Sequence, residues 1–397
     1  MVATLSGFSQ TQVIDSLKEV VDNHTGKLNA LDERVLVNES DLGKLNKIKV
    51  SGYIQAQWEA YQTDLYKANE PSNTFYIRRA RIKFTYEPTD GVKFVLQPDF
   101  STGNLSLKDA YAVVNLPKLP GWTLWAGQFN RINYEVEYSS SQREVLERSR
   151  VIRAIYPGER EIGAKIEYSG MKTPILFQLM AMNGNFTGTQ AKDADSKKDI
   201  MARFVYMAKL PSAGIGLDLG INGYIGGTRA KTNKYVSTTE GILDSISVGD
   251  YLNKKWFGAE ARLFSDFLGG LAIKAEYVSG VNSTSSTTAL KTDPNKTRNF
   301  SGYYIYFVKN IGNKNQFVAK YDYYDPNTKL SGNAAGSDVN YKTWTLAWQY
   351  YLNDNIRITL NYEMPQNELS SAVKNQAGVS GVQLKDNTFG IRIQAKF

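Results

Sequence analysis

Between Asn130 and Arg160 the chain gathers six arginines (Arg131, Arg143, Arg148, Arg150, Arg153 and Arg160) among five glutamates (Glu135, Glu137, Glu144, Glu147 and Glu159). A guanidinium stays charged at any physiological pH, and its planar fork meets phosphate or carboxylate oxygens two at a time. Arginines alone would make an anion trap. Interleaved with carboxylates, they make a strong local field that suits small polar solutes. The stretch lacks the alternation of a strand, yet it follows one reading as a strand (121–129) and precedes another (160–169). It is therefore a long charged loop, 130–159, held at both ends by sheet.

Other chemistries are excluded by composition. There is no cysteine, so no thiolate nucleophile, disulfide framework or thiolate metal site. The single histidine, His24, lies far from the loop, so neither a Ser/His nor an Asp/His constellation can form. No HExxH, Walker A or GxGxxG motif occurs. Asp193, Asp195 and Asp199 resemble part of a calcium loop but lack its glycine and distal glutamate. No cofactor, no metal and no enzymatic activity are expected. Nucleic-acid binding needs basic side chains gathered on one face. Here they are strewn along alternating segments among acids.

The elements that position the loop change period along the chain. Ile14, Leu17, Val21, His24, Leu28, Leu31, Val35, Asn38, Leu42 and Leu45 keep an unbroken heptad register. Residues 1–47 therefore read as a helical coiled-coil stalk for oligomerisation, with His24 and Asn38 as polar seam residues. This segment carries a charge of −2, against +10 for the remainder. The amino terminus has neither a basic stretch nor an apolar core, so the chain reads as a mature form without its export signal.

From Ile48 onward the period is 2. Sixteen strands are expected at 48–60, 73–87, 91–101, 105–116, 121–129, 160–169, 172–183, 198–210, 215–227, 250–264, 270–279, 300–311, 315–325, 340–351, 355–365 and 386–397. Mean hydropathy is only −0.39 and no run of eighteen apolar residues exists, yet there are 25 Tyr, 17 Phe and 6 Trp. Links between strands alternate in length, with 102–104 as the one short link among the long ones: short turns such as Pro88–Asp90 and Gly170–Met171, then long polar segments such as 130–159 and 228–249. An up-and-down outer-membrane barrel has this asymmetry, with each strand apolar outside and polar inside. The last strand, DNTFGIRIQAKF, ends on an aromatic residue, as such barrels commonly do.

Five segments carry a family resemblance: IKVSGYIQAQ at Ile48–Gln57, FYIRRARIKF at Phe75–Phe84, KDAYAV at Lys108–Val113, GQF at Gly127–Phe129 and REIG at Arg160–Gly163. Together they resemble the phosphate-selective porin O/P family over residues 48–397. The resemblance implies a trimeric sixteen-stranded outer-membrane porin with a periplasmic amino-terminal segment. It also implies a third extracellular loop folded into the lumen, where 130–159 falls. Arg79, Arg81 and Lys83 sit where the family carries wall arginines, and Arg229, Lys231 and Lys234 are nearest to its lysine cluster.

The expectation is thus an all-β transmembrane barrel of sixteen antiparallel strands (48–397) after a helical stalk (1–47). It would pass small hydrophilic solutes with a mild preference for anions, phosphate among them. Arg79, Arg81, Lys83 and the six loop arginines would line the pore, with Glu135, Glu137, Glu144 and Glu147 as acids of the constriction. Partners would be two further copies, outer-membrane lipid, and small anions or polar solutes. The alternative is an anchor or adhesin whose coiled coil tethers the cell wall or a partner. On strand two, Arg78 has lipid-facing parity and therefore requires an interface, a subunit contact or a bulge.

Overall fold

The computed structural model describes residues 7–45, 47–62, 72–101, 103, 105–170, 173–184, 193, 195–230, 233–238, 241–283, 298–335, 338–371, 373–374 and 386–397. The amino-terminal segment is a single helix, α1 (Gly7–Leu45). Every described side chain from Leu17 to Glu39 is exposed, so this stretch of α1 packs nothing against the rest of its own chain.

Alternating sequence then becomes sheet: β1 (Ile48–Tyr61), β2 (Asn73–Tyr86), β3 (Val92–Asp99), β4 (Ser106–Asn115), β5 (Trp122–Asn130), β6 (Arg160–Ser169), β7 (Ile175–Met182), β8 (Asp199–Leu210) and β9 (Ile215–Arg229). A small hairpin follows, β10 (Lys234–Thr238) with β11 (Gly241–Ile246). The series resumes with β12 (Tyr251–Ser265), β13 (Leu271–Asn282), β14 (Asn299–Ile311), β15 (Asn315–Asp325), β16 (Tyr341–Tyr351), β17 (Ile356–Pro365) and β18 (Thr388–Lys396). Among the described residues, sixteen strands pair antiparallel with their neighbours, and β1 pairs with β18 to close the barrel. All sixteen expected strands are present. The β10–β11 hairpin was not foreseen: it stands apart from the barrel, inside the segment read as a polar link.

Closure removes the edges of the barrel sheet, which is what lets its strands cross a bilayer. The outer face carries exposed Ile54, Leu124, Leu179, Phe204, Ile221, Phe257, Ile305, Leu346 and Ile393. Aromatic groups gather outside at both ends. Trp122 packs on Tyr168 and Phe177 beside a short turn, and Trp58 on Phe75 and Phe389 beside the long loops. Such belts suit the membrane–water boundary.

Two bulges shift the register. Gln55 pairs with Arg79 and Ala56 with Ile77, which leaves Arg78 as the extra residue on β2. Gln97 pairs with Asp109 and Pro98 with Leu107, which leaves Lys108 extra on β4. Arg78 therefore turns off the lipid face, where a cation would cost about 2–4 kcal/mol at mid-depth. Gln128, outward by parity, donates to the carbonyls of Leu107 and Lys108 at 2.7 and 2.9 Å and satisfies groups the second bulge frees.

The interior is not uniformly polar. The segment between β5 and β6 enters the barrel and forms two short helices, α2 (Tyr134–Glu137) and α3 (Arg150–Ile155). Its Ile132, Val136, Val145, Val151, Ile152, Ile155 and Tyr156 are at most 2% exposed and share one core with the wall. The wall contributes Met180, Met182, Met201, Tyr224, Trp256, Phe300, Tyr304 and Tyr306. Each buried aliphatic side chain of this size contributes about 1.5–3 kcal/mol to holding the loop down.

Candidate functional site

The inward loop is fastened around the wall. Asn133 caps α2 through Glu135 and Val136 N–H, and its amide donates to Glu276 at 2.6 Å. Tyr306 donates to Glu135 at 2.7 Å. Glu137 accepts from Arg203 at 2.9 Å, and Glu144 pairs with Lys274. Gln349 donates to the Glu144 carbonyl at 2.8 Å and Arg392 to that of Leu146 at 2.9 Å. Arg78, freed by its bulge, grips Glu147 through both oxygens at 2.7 and 3.0 Å. Asp322 accepts from the Arg150 N–H at 2.7 Å, and Trp256 donates to the Tyr156 hydroxyl at 3.0 Å. Two wall glycines make room. A Cβ on Gly302 would sit 2.7 Å from Val151, and one on Gly390 would sit 2.4 Å from Leu146.

Two glutamates organise five arginines. Glu159 pairs with Arg143 (3.4 Å), Arg148 and Arg160 (2.6 Å). It is held at φ 68°, a region that costs a non-glycine residue about 1–2 kcal/mol. Glu147 pairs with Arg78 and, at 3.4 Å, with Arg392. Burial opposes ionisation of Glu147, but the hydrogen bond and charge of Arg78, with Arg79 and Arg143 nearby, hold its carboxyl well below the usual range. Burial pushes the Arg143 guanidinium down to about 10, against the opposing charge of Glu147.

The remaining cations sort into paired and uncompensated. Arg81 is buried on Asp99 at 2.7 Å and donates to the Tyr53 hydroxyl at 2.9 Å. Arg160 also meets Asp109 at 3.1 Å. Arg131 is fully buried, bonded to the Pro157 carbonyl at 2.9 Å and 3.8 Å from Glu161. Arg148 donates to the Glu135 and Val136 carbonyls at 2.6 and 3.0 Å, so it braces the loop. By contrast Arg79, 2% exposed, donates to the neutral Gln55 at 2.9 Å. Arg357 donates to Gln349, Gln394 and the Ser141 carbonyl. Arg150 lies over the Tyr341 ring at 3.4 Å. Among the described residues, the side-chain nitrogens of Arg79, Lys83, Lys108, Arg150, Arg153 and Arg357 have no carboxylate oxygen within 4 Å.

The loop separates two cavities, each of about 420 Å³. The one toward the short turns presents Arg81, Lys83, Arg148, Arg160 and Lys165 against Asp109, Glu137 and Glu167. The one toward the long loops presents Arg150, Arg153 and Arg298 against Asp338. In the first cavity Asp99 and Glu159, just behind the lining, balance Arg81, Arg148 and Arg160 and leave Lys83 without a carboxylate partner; in the second Asp338 holds Arg298 and leaves Arg150 and Arg153 without one. An apolar groove outside the barrel, lined by Phe204, Ile221, Ala259 and Ile305, belongs to the lipid face.

Of the residues singled out from sequence, the fold brings Arg79, Arg81 and Lys83 into the lumen together with the whole charged loop. Arg131, Glu135 and Glu144 face the wall, while Arg150 and Arg153 face the long-loop cavity. Lys231 and the side chain of Lys234 lie outside the described residues, as do the side chains of Ile14 and Leu45. Sequence reasoning missed Lys108. Adjacent charges inside a strand, Lys108–Asp109 like Arg78–Arg79, are the signal that a bulge has broken the alternation.

The chain matches no curated protein. Among solved structures, an anion-selective porin from Comamonas acidovorans aligns with TM-score 0.57 at 12% identity, covering 88% of this chain and 99% of that one. A loop-deletion mutant of OmpT, an outer membrane protein of Vibrio cholerae, gives 0.57 at 11% identity, with the same two coverages of 88% and 99%. The trimer form of OmpT gives 0.54 at 11%, again covering 88% and 99%. At such identities the likeness is one of fold. The family profile described as "Phosphate-selective porin O and P" matches residues 48–397, the whole barrel. The chain belongs to that family: it is a porin of the bacterial outer membrane, a channel-forming barrel.

Proposed function

We propose that this porin passes small hydrophilic solutes with a preference for anions. The supporting observation is that both cavities flanking the inward loop present cations without a carboxylate partner, Lys83 in one and Arg150 and Arg153 in the other. A positively biased path attracts anions, and conduction needs that attraction spread over several weak sites. The uncompensated cations run from Lys83 near the short turns, past Arg79, to Arg150 and Arg153 at the long-loop end. Glutamates within the loop hold most of the other arginines, which argues for a field-bearing constriction more than a dedicated phosphate trap. Small inorganic anions and short carboxylates fit this field, and phosphate is one of them.

The assembly we propose is a homotrimer, as in the trimer form of the structurally similar OmpT. The apolar seam of α1 stands uncovered, with Leu28 63% and Leu31 60% exposed. In the heptad register Lys27 and Asp32, and Arg34 and Glu39, occupy g positions and the following e positions. Parallel copies would pair them between helices. On this reading α1 is a periplasmic coiled coil, the short turns face the periplasm and the long loops face outward. The anchor reading lacks such support, since the barrel carries charged cavities that a plain anchor has no use for.

Planar-bilayer recording of the purified protein tests the channel. Stepwise conductance in groups of three supports a trimeric pore. Silent bilayers from folded protein would favour the anchor instead.

A further inference from the structure

The lone histidine is left unused by the channel. His24 occupies a d position of the α1 seam, between the apolar a positions Val21 and Leu28. Its Nδ1 lies 3.0 Å from the Val20 carbonyl oxygen. A carbonyl only accepts, so this contact is a hydrogen bond when Nδ1 carries a proton, and in the neutral ring Nε2 is then the nitrogen with the lone pair. This is the tautomer that metal-binding histidines commonly adopt, with the second nitrogen fixed by a backbone carbonyl. Among the described residues, no single chain brings three ligand-type side chains together. A parallel three-stranded coil does so by symmetry, because equivalent d positions form one layer around its axis.

We propose that the His24 layer is a binding site for a divalent late transition metal, completed only by three copies of the chain. The inference rests on the trimeric coiled coil proposed above. Three neutral imidazoles suit zinc, cobalt, nickel or copper, and leave a fourth position for water. Calcium and magnesium prefer oxygen ligands and are not expected. The metal would turn a polar, weakening layer of the seam into a cross-link. It would thereby tie the strength of the stalk to the availability of the ion.

The test uses the full chain, purified in detergent and stripped with a chelator, then titrated with Zn²⁺ and separately with Co²⁺. Native mass measurement runs alongside. The expected result is a single ion for three chains, a visible Co²⁺ band of a low-coordinate nitrogen-ligated site, and a higher melting temperature for the helical signal in zinc. His24→Asn keeps a polar seam residue and should keep the trimer while losing all three responses. A wild-type trimer that binds neither ion overturns the site, and so does equal binding by His24→Asn. A chain that is monomeric with and without zinc overturns the assembly itself, and the metal layer with it.

Discussion

Arg79→Gln isolates the uncompensated charge. The guanidinium is 2% exposed, bonded to Gln55, and has no carboxylate within 4 Å among the described residues. Taking a separation of about 8 Å and an effective dielectric of roughly 40–80, a unit charge contributes about 0.5–1 kcal/mol to an anion and opposes a cation equally. Removing it changes the difference by about 1–2 kcal/mol, or roughly 5- to 30-fold in the anion-to-cation permeability ratio. The effect fades toward 1 M salt, where the screening length falls to about 3 Å. The assay is the reversal potential across a planar bilayer in a dilute KCl gradient, repeated at high salt. Stability should hold, because glutamine leaves no buried charge behind. Arg81→Gln is the contrast. It strands Asp99, 3% exposed at the side chain, and should cost about 3–5 kcal/mol of barrel stability. An Arg79→Gln porin that folds, conducts and keeps the wild-type reversal potential at low salt would refute the assignment of selectivity to uncompensated cations.

Three further outcomes follow from the same geometry. Glu147→Gln releases Arg78 and Arg392 and raises the lumenal charge by one, so the reversal potential should move further toward anion selectivity. The Glu147 carboxyl is held below its ordinary value, so its contribution is complete above about pH 4.3 and is lost only as pH falls through the lower folded value. Wild type and Glu147→Gln should therefore still differ at about pH 4.5, and identical traces there would contradict the pairing. Gly302→Leu drives side-chain atoms into Val151, which a Cβ alone would approach to 2.7 Å. It should dislodge α3, raise single-channel conductance and expose the loop to protease, whereas wild-type conductance would show that α3 does not rest on that wall. Leu28→Asp with Leu31→Asp should loosen the oligomer on native gels; unaltered trimers would assign assembly to the barrels alone.

The barrel was legible because a strand's period is unmistakable over sixteen repeats, and because loop length sorts by parity only when strands run up and down. Even the misfit was informative: Arg78 on lipid parity required an interface, a subunit contact or a bulge, and the register places a bulge there. The packing of the loop was less visible. Alternation says which residues face inward but not whether water or protein covers them. Yet Met180 and Met182 on β7, and Phe300, Tyr304 and Tyr306 on β14, are apolar on the inward parity, so those strands are apolar on both faces. That pattern signals a wall covered from inside, and the inward loop, whose apolar side chains share this core, is what covers it. Partnering was least legible, since Glu159 reaches Arg143 and Arg148 only through the turn of the loop.

The central claim is that surplus positive charge on both sides of the inward loop sets the selectivity of the channel. The reversal potential of the wild-type porin in a dilute KCl gradient tests it most directly. A potential displaced toward the chloride equilibrium value, shrinking as salt rises, is the predicted result. A potential at zero, or displaced toward potassium, would contradict it.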